Sequence, residues 1–491
     1  MGKKVTLIGA GISSLASASF LAKAGFDVTI LEKNATIGGR ARQFKTDGFV
    51  FDMGPSWYWM PDVFEQFYAK FGHTTSDFYA LKRLDPSYNV FWKDGTKTPI
   101  PADETKLYEW FESLEKGSSE KLKSFLTDAK YKYEVGMQDL VYKPSLKLTE
   151  FADIRILKGL FKLHLLSSFS KYIRKYFKNE KILSLLEFPI LFLGAMPKDT
   201  PALYSLMNYA DISLGTWYPM GGMFNIIEAF EKIALENGVK IITDQEVTGI
   251  KSSNKLVTHV LTKTNSYETD ILVSGADYHH TDAGILEDKA NYSEKYWESR
   301  TMAPSCLLFY LGIDKKLDGL DHHNLFFDED FELHAKEIYK DAKWPSAPLF
   351  YASVPSMTDP SVAPEGKENL FLLVPIAPNL SDDEETREKY FNIILDRLEQ
   401  KTGNTIRDSI IYKKSYCITD FKNDYHAFKG NAYGLANTLK QTAILKPSLK
   451  SKKLKNMYYT GQLTVPGPGV PPSIISGEVV AKEIIKDFKK I

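Results

Sequence analysis

The most regular pattern of apolar and polar positions lies near the start of the chain. Val5–Ile8 is a short apolar run of the kind found in buried parallel strands. Apolar positions then recur at helical spacing, at Ile12, Leu15, Ala18, Leu21 and Ala22. Gly25 ends this helix, and Val28–Leu31 predicts a second strand. The pattern therefore predicts a β-α-β unit with parallel strands.

The turn inside this unit has the residue types of a dinucleotide-binding fingerprint. Gly9 permits the tight turn, and Gly11 lets the backbone approach a pyrophosphate at the helix N-terminus. Glu32, at the tip of the second strand, would accept hydrogen bonds from a ribose and disfavour a 2′-phosphate. Ser14 replaces the third glycine, and its side chain is small enough to be tolerated between helix and strand.

Some later stretches of the chain predict strands and helices like those of the β-α-β unit, and others have a different pattern. Elements of the same kind are predicted at Asn225–Asn237, Val239–Ile242, Asp270–Ser274, Met457–Thr460 and from Ser473 to beyond Lys482. Between residues 80 and 219, short strands such as Tyr88–Trp92 give way to helices rich in Lys, Glu and Leu. Between residues 290 and 445, apolar strands alternate with charged helices.

Composition excludes several classes of protein. Lys plus Arg and Asp plus Glu both number 62, whereas nucleic-acid-binding proteins usually carry a basic excess. Cys306 and Cys417 are the two cysteines, and they lie far apart in no metal-binding spacing. We therefore expect no nucleic-acid partner, no metal site, no disulfide and a reducing cytoplasmic location. The aromatic content of 13% fits a large core or a long apolar cavity.

Further motifs follow the fingerprint along the chain. They are Gly38-Gly39-Arg40, Asp52-Met53-Gly54-Pro55, Trp217-Tyr218-Pro219-Met220-Gly221-Gly222, Thr460-Gly461 and Pro466-Gly467-Pro468-Gly469-Val470-Pro471. In this order they resemble the motifs of bacterial phytoene desaturase-type carotenoid desaturases, within the amine oxidase-like flavoprotein superfamily. The last motif and the Tyr-Pro-x-Gly-Gly segment are more specific to the desaturases. Gln462 departs from the acidic residue that many members have there.

The resemblance implies non-covalently bound FAD as the cofactor. The paired glycines and Arg40 would lie at its pyrophosphate, and the segment from Asp52 would lie near the flavin. The backbone at Val247 would cover the adenine, and the Pro-Gly-rich loop would hold the ribityl and pyrophosphate oxygens. The residues assigned to the cofactor are Gly9, Gly11, Ile12, Ser13, Glu32, Lys33, Gly39, Arg40, Gly54, Pro55, Ser56, Val247, Gly461, Gln462, Gly469, Val470 and Pro471.

The resemblance also implies an α/β fold class with a discontinuous Rossmann-type FAD-binding domain. A mixed-sheet substrate-binding domain with a helical lid would complete the chain. The expected FAD-binding domain comprises residues 1–79, 220–289 and 446–491, the substrate-binding domain comprises residues 80–219 and 290–445, and the lid is residues 150–219.

The implied activity is the FAD-dependent introduction of C=C bonds into a long polyene, with phytoene desaturation to lycopene-type products as the leading expectation. A hydride would pass to the flavin and a proton would leave the adjacent carbon. Alternatives within the family are later-stage work, such as 3,4-desaturation of a hydroxylated carotenoid, and isomerisation. An amine oxidase and a non-catalytic protein that binds FAD or carries a carotenoid are more distant alternatives.

Asp153 and Arg155 are the candidate catalytic residues. Their segment, Phe151-Ala-Asp-Ile-Arg, resembles the region where this family has a polar pair near the flavin. An ion pair on a helix surface is the competing interpretation.

Two local clusters are also ambiguous from the residues. The aromatic run Trp57-Tyr58-Trp59 would wall a substrate channel or belong to the core. The histidine pairs His279-His280 and His322-His323 would face opposite ways in a strand, which favours surface or hydrogen-bonding roles over metal binding.

A polyene substrate resides in a bilayer, so some surface is expected to dock there. No apolar run has the length of a membrane span. The segment Arg155–Lys178 combines apolar residues with two basic stripes, which fall on nearly opposite sides of one helix. We therefore expect a break near Ser167-Ser168 and a peripheral membrane contact through Lys171, Arg174, Lys175 and Lys178. An ordinary lid with solvated lysines is the alternative.

Overall fold

The computed structural model describes residues 2–151, 167–191, 194–438 and 440–488. Numbered along the chain, its strands are β1 Lys4–Ile8, β2 Asp27–Leu31, β3 Gln43–Thr46, β4 Phe49–Asp52, β5 Leu81–Arg83, β6 Tyr88–Trp92, β7 Lys97–Ile100, β8 Trp217–Pro219, β9 Lys240–Ile242, β10 Val247–Ser253, β11 Leu256–Thr262, β12 Ser266–Glu268, β13 Ile271–Ser274, β14 Ser305–Ile313, β15 His323–Phe327, β16 Phe350–Ser353, β17 Glu368–Ile376, β18 Ile410–Tyr416 and β19 Met457–Tyr459.

The α-helices are numbered in the same way. They are α1 Ile12–Lys23, α2 Pro61–Ala69, α3 Glu104–Leu114, α4 Ser118–Val135, α5 Phe169–Ile173, α6 Glu180–Leu191, α7 Leu206–Asn208, α8 Asn225–Glu236, α9 Glu294–Glu298, α10 Phe331–Lys336, α11 Glu384–Thr402, α12 Ile418–Tyr425 and α13 Val470–Phe488.

The predicted β-α-β unit forms the centre of a parallel sheet with the strand order β19-β13-β1-β2-β9. Val5 of β1 is paired with Val28 on one side and with Ile271 on the other. The strands of this sheet are largely buried because helices cover its faces, as the apolar runs of the sequence predict. The prediction of an α/β fold with a Rossmann-type sheet is confirmed.

Helix α13 lies directly against α1. A Cβ atom at Gly477 would overlap the carbonyl oxygen of Ser13 and would press on Ala16. A residue without a side chain is therefore required where the two helices cross. The helix begins at Val470, three residues before the predicted Ser473, because Pro471 and Pro472 fit a first helical turn, whose N–H groups have no helical partner.

A second, mixed sheet has the strand order β18-β14-β17-β16-β15-β6-β7. Strands β14 and β17 pair antiparallel over nine residues, from Ser305 opposite Ile376 to Ile313 opposite Glu368. Strand β6 joins β15 in parallel, which brings the early part of the chain into this sheet. Every residue of β14 is buried, so its neighbours β17 and β18 and the layers on both faces enclose it.

Residues 167–178 are the described part of the predicted membrane-docking segment. Helix α5 begins after Ser168, whose Oγ accepts a hydrogen bond from the backbone N–H of Lys171. Phe169 and Phe177 are buried and pack in the core, so their side chains are not available to a membrane surface. The basic side chains at Lys171, Arg174, Lys175 and Lys178 are exposed. Among the described residues, no helix is both long and apolar enough to span a bilayer.

Candidate active site

A cavity of about 470 Å³ lies between the two large sheets. On one side it is bounded by residues at the carboxyl ends of the parallel strands, where open α/β sheets bind their ligands. On the other side it is bounded by side chains of β14 to β17. Every residue assigned to the cofactor from the sequence lines this cavity. Asp153 and Arg155, the candidate catalytic pair, lie outside the described residues.

The turn between β1 and α1 leaves space for a ligand. Gly9 has a φ of 85°, and its N–H donates to the carbonyl of Leu31, which fixes the turn against β2. Gly11 caps α1, and a Cβ atom built on it meets no protein atom within 4 Å. Gly11, Ile12 and Ser13 line the cavity at the helix N-terminus, which favours anionic groups.

Glu32 is almost fully buried and is held by hydrogen bonds from the protein. Its carboxylate accepts from the backbone N–H of Ala10 at 2.7 Å and from that of Asn34 at 2.8 Å. The side-chain amide of Asn34 donates to it as well, at 2.9 Å. Carboxylate oxygens have about four acceptor positions, so Glu32 retains capacity for a ribose hydroxyl in the cavity. The loop therefore fixes the orientation of the carboxylate before any ligand binds.

Arg40 is a buried cation at the wall of the cavity. Its Nη2 donates to the carbonyl of Asn431 at 3.3 Å, and its Nε has no hydrogen-bond partner among the described residues. Burial lowers the pKa of Arg40, and the carboxylate of Asp277 opposes that shift. A buried guanidinium with a free donor fits a diphosphate, which supplies charge and acceptors together. The donor set and the open space at Gly11 thus fit the pyrophosphate of FAD.

The remaining assigned residues surround the same cavity. Val247 is the first residue of β10, and Gly461 is the second residue after the end of β19. Gln462 donates from Nε2 to Asn431 at 3.2 Å, so this neutral residue ties the β19 loop to the segment beneath Arg40. Gly54, Pro55, Ser56, Gly469, Val470 and Pro471 complete the wall.

Polar side chains that the sequence did not point to gather near Lys33. Its Nζ lies 3.2 Å from Nε2 of His426, and that nitrogen lies 3.0 Å from a carboxylate oxygen of Glu246. The ring of His280 stacks on that of His426 at 3.9 Å. Burial lowers the pKa of His280 to about 4. No local pattern could have predicted this group, because His280 and His426 are brought together only by the tertiary fold.

The far part of the cavity is apolar and aromatic. Trp57 and Trp59 line it, whereas Tyr58 is buried in the core and stacks on Phe64. The aromatic run therefore divides between the two interpretations. Trp57 also stacks on the buried ring of His323, at 4.1 Å and 9°. The other apolar lining residues include Phe188, Leu191, Met207, Leu325, Phe327, Phe331, Ile338, Leu349, Phe350 and Leu373.

Comparisons with known proteins agree with this geometry. The model of the family described as flavin containing amine oxidoreductase matches residues 12–485. The carotenoid 3,4-desaturase of Haloarcula japonica is 40% identical over 489 residues, with 99% of each chain covered. The 4,4′-diapophytoene desaturase (4,4′-diaponeurosporene-forming) of Staphylococcus aureus is 32% identical over 501 residues, also with 99% of each covered.

Solved structures share the fold at much lower identity. An oxidoreductase from Methanosarcina mazei has a TM-score of 0.65 at 16% identity and covers 98% of this chain and 100% of its own. A triple mutant of putrescine oxidase has a TM-score of 0.64 at 12% identity, with 99% of both chains covered. The chain is an FAD-dependent oxidoreductase that belongs to the flavin-containing amine oxidoreductases and, within them, to the carotenoid desaturases.

Proposed function

We propose that this protein is a late-stage carotenoid desaturase that introduces the 3,4 double bond near the end of an already conjugated chain. The observation that carries the proposal is the 40% identity with a carotenoid 3,4-desaturase over 99% of both chains. FAD, when bound, accepts the hydride that each desaturation removes. The apolar half of the cavity would hold the polyene and exclude water from the reacting carbons.

Two tyrosines support a substrate with a polar end group. Tyr339 and Tyr433 line the cavity. Burial raises the pKa of each hydroxyl, so both stay protonated and can donate a hydrogen bond. A hydroxyl on the end of the carotenoid would accept such a bond, whereas a hydrocarbon end would offer no acceptor.

Anaerobic mixing of the FAD-loaded protein with defined substrates tests the proposal. A hydroxylated, conjugated carotenoid should bleach the flavin and give a product with one more conjugated double bond, absorbing at longer wavelength. The relation to the Staphylococcus aureus enzyme favours phytoene-type substrates as the second candidate. Bleaching by phytoene with none by hydroxylated carotenoids would select that reaction. Bleaching by amines with release of peroxide in air would contradict both.

The proposal also divides the chain into an FAD-binding domain and a substrate-binding domain. Residues 1–79, 220–289 and 446–491 would hold FAD, and residues 80–219 and 290–445 would hold the substrate. In support, all strands of the parallel sheet fall in the first set, and all strands of the mixed sheet fall in the second. The assigned lining residues would bind the cofactor, with Asp153 and Arg155 as a polar pair near the flavin.

Membrane docking through residues 155–178 also belongs to the proposal, supported by the exposed lysines of the described half. Arg174 pairs with Glu187 at 2.5 Å, so a test should leave Arg174 in place. Reversal of Lys171, Lys175 and Lys178 to Glu should abolish binding to anionic liposomes while FAD content stays intact. The matched control reverses Lys452, Lys453 and Lys455, which are exposed elsewhere. Equal sedimentation of both variants with the liposomes would overturn this docking surface.

A further inference from the structure

A second, much smaller chamber lies behind the wall of the large cavity. Its volume is about 20 Å³, and Ser56 borders both spaces. The polar residues around it are Asp52, Ser56, Tyr218, His322, Ser353 and Asn369. A space of this size holds one water molecule, which needs about 10–15 Å³ and two to four polar partners.

Two hydroxyl groups at this chamber have no hydrogen-bond partner among the described residues. They are the Tyr218 hydroxyl and the Ser353 Oγ, and both side chains are buried. Buried polar groups in folded proteins are almost always satisfied, by protein or by ordered water. One water in the chamber would reach both hydroxyls, and so the chamber has the size and the chemistry of a structural water site.

A hydrogen-bonded chain leads from this chamber into the large cavity. The Tyr351 hydroxyl donates to Ser56 Oγ at 3.1 Å and lies 2.6 Å from Nδ1 of His323. Tyr351 and Ser56 both line the large cavity. His323 and Trp57 therefore hold the Tyr351 hydroxyl in place, and that hydroxyl in turn orients Ser56 between the two spaces.

A carboxylate lies at the other side of the chamber. Asp52 accepts hydrogen bonds from the backbone N–H groups of Met223 at 2.7 Å and Phe224 at 3.1 Å. Burial raises the pKa of Asp52, which makes the carboxyl group a better proton acceptor than an exposed aspartate. Tyr218 lines the same chamber as Asp52, and burial, together with the charge of Asp52, raises the pKa of the Tyr218 hydroxyl.

We propose that the chamber binds one water molecule, which with Ser56 and Asp52 conducts the proton of each desaturation out of the reaction cavity. The inference rests on the proposed function, which releases one hydride and one proton for each new double bond. The electrons of the C–H bond that loses the proton form the C=C bond, and the hydride leaves to the cofactor. Ser56 Oγ takes up that proton while it passes its own to the water, and the water passes one to the Asp52 carboxylate.

Two variants at Ser353 distinguish the effect of losing the water from the effect of losing the Ser353 hydroxyl. Ser353→Val fills the chamber with two methyl groups, whereas Ser353→Ala removes the oxygen and leaves the space. In anaerobic stopped flow with the carotenoid, Ser353→Val should slow flavin reduction at least tenfold, and Ser353→Ala should slow it by less than threefold. FAD content and absorption spectrum should match the parent in both. A crystal structure of the FAD-loaded parent should show the water, and that of Ser353→Val should not.

Selective deuteration of the substrate distinguishes proton conduction from a packing defect. In Ser353→Val, the deuterium isotope effect on flavin reduction should increase when the carbon that loses the proton is deuterated. It should stay constant when the carbon that loses the hydride is deuterated. Tyr218→Phe should give the same signature with less disturbance of volume. Its matched control is Tyr390→Phe, because the Tyr390 hydroxyl donates to the carbonyl of Pro345 and neither residue lines either space. The control should behave as the parent.

Two results would overturn the inference. One is a holoprotein structure with no water in the chamber, which tests the site without any substrate. The other is parental reduction kinetics and isotope effects in both Ser353→Val and Tyr218→Phe. Failure of the proposed function is recognised separately, because the parent protein itself would then show no bleaching with any carotenoid.

Discussion

Ser14 occupies the space that a side chain at Gly275 would need. A Cβ atom at Gly275 would overlap Ser14 Oγ and would also lie 3.3 Å from the carbonyl oxygen of Ile8. The serine that replaces the third glycine of the fingerprint is therefore accommodated by a glycine on the neighbouring strand end. Ser14 Oγ itself is buried and has no hydrogen-bond partner among the described residues.

This relationship predicts a compensating pair. Gly275→Ala should destabilise the protein by about 1–3 kcal/mol, the usual range for overpacking. In the Ser14→Gly background the same change should recover most of the loss, because the overlapping oxygen is gone. Thermal unfolding of the parent, the two single variants and the double variant gives the coupling between the two sites. Independent, additive losses would show that the two residues do not share this space.

Gly11→Val should yield a folded protein without cofactor. A Cβ atom at Gly11 meets no protein atom within 4 Å, so the thermal midpoint of the apoprotein should stay within about 2 °C of the parent, in line with the small effect of substitutions away from packed features. The valine side chain would project to where the pyrophosphate approaches the helix, so FAD content should fall below a tenth of that of the parent. Gly11→Ala should bind FAD with an affinity between those of the parent and Gly11→Val. A yellow, fully loaded Gly11→Val protein would contradict the placement of the phosphates.

Glu32→Ala should impair both cofactor binding and stability. Loss of a charge-assisted hydrogen bond to the ribose costs about 1.5–3 kcal/mol, which is tenfold or more in FAD affinity. The buried N–H of Ala10 also loses its acceptor, which should destabilise the apoprotein by about 1–3 kcal/mol. Glu32→Gln keeps one acceptor and should spare most of the stability. FAD titration and urea unfolding separate the two effects, and an apoprotein of parental stability after Glu32→Ala would refute the structural role.

Stability should fall with acid because several histidines are buried in the neutral form. Burial lowers the pKa of His280 and His334 to about 4 and that of His322 to about 3. The unfolded chain protonates these groups near pH 6.5, whereas the folded protein does not. Stability is therefore full above pH 6.5 and is lost as the pH falls toward 4 and 3, by about 1.4 kcal/mol per pH unit for each group.

Urea unfolding of the apoprotein at pH 7.5, 6 and 5 measures this slope. His334 accepts from the N–H of Leu349 and donates to the carbonyl of Pro375, so His334→Gln should lower stability at every pH. It should also reduce the slope of the free energy of unfolding against pH by the contribution of one histidine. His259→Gln, at a half-exposed position of β11, is the matched control for the replacement of a histidine. An unchanged slope in His334→Gln would show that this histidine is not held neutral.

Local sequence pattern was sufficient to identify one wall of the cavity. The β-α-β unit, the acidic residue after β2 and each glycine-rich loop can be recognised from a few neighbouring residues, and the parallel sheet brings the ends of its strands together. These features act through backbone N–H groups and through positions without a side chain. Both can be recognised in the sequence, because they require glycines at fixed places. Glu32 and Arg40 line one cavity, as residues assigned to the same cofactor should.

The polar chain at the small chamber could not be predicted in this way. Asp52 and Ser56 come from one segment, whereas Tyr218 and Ser353 come from distant ones. Their meeting depends on the register of the mixed sheet and on its contact with the loop after β4. Which of Trp57, Tyr58 and Trp59 faces the cavity depends equally on tertiary packing. Such residues look like ordinary core positions until the fold is known.

The crossing of α13 over α1 at Gly477 has a consequence for biosynthesis. The first turn of α1 borders the cavity and is covered by α13, and β19 comes from the same distant stretch of the chain. This wall of the cavity is therefore unfinished until residues 457–488 have been synthesised. A truncation before residue 477 is expected to abolish cofactor loading even though every residue of the N-terminal fingerprint is present.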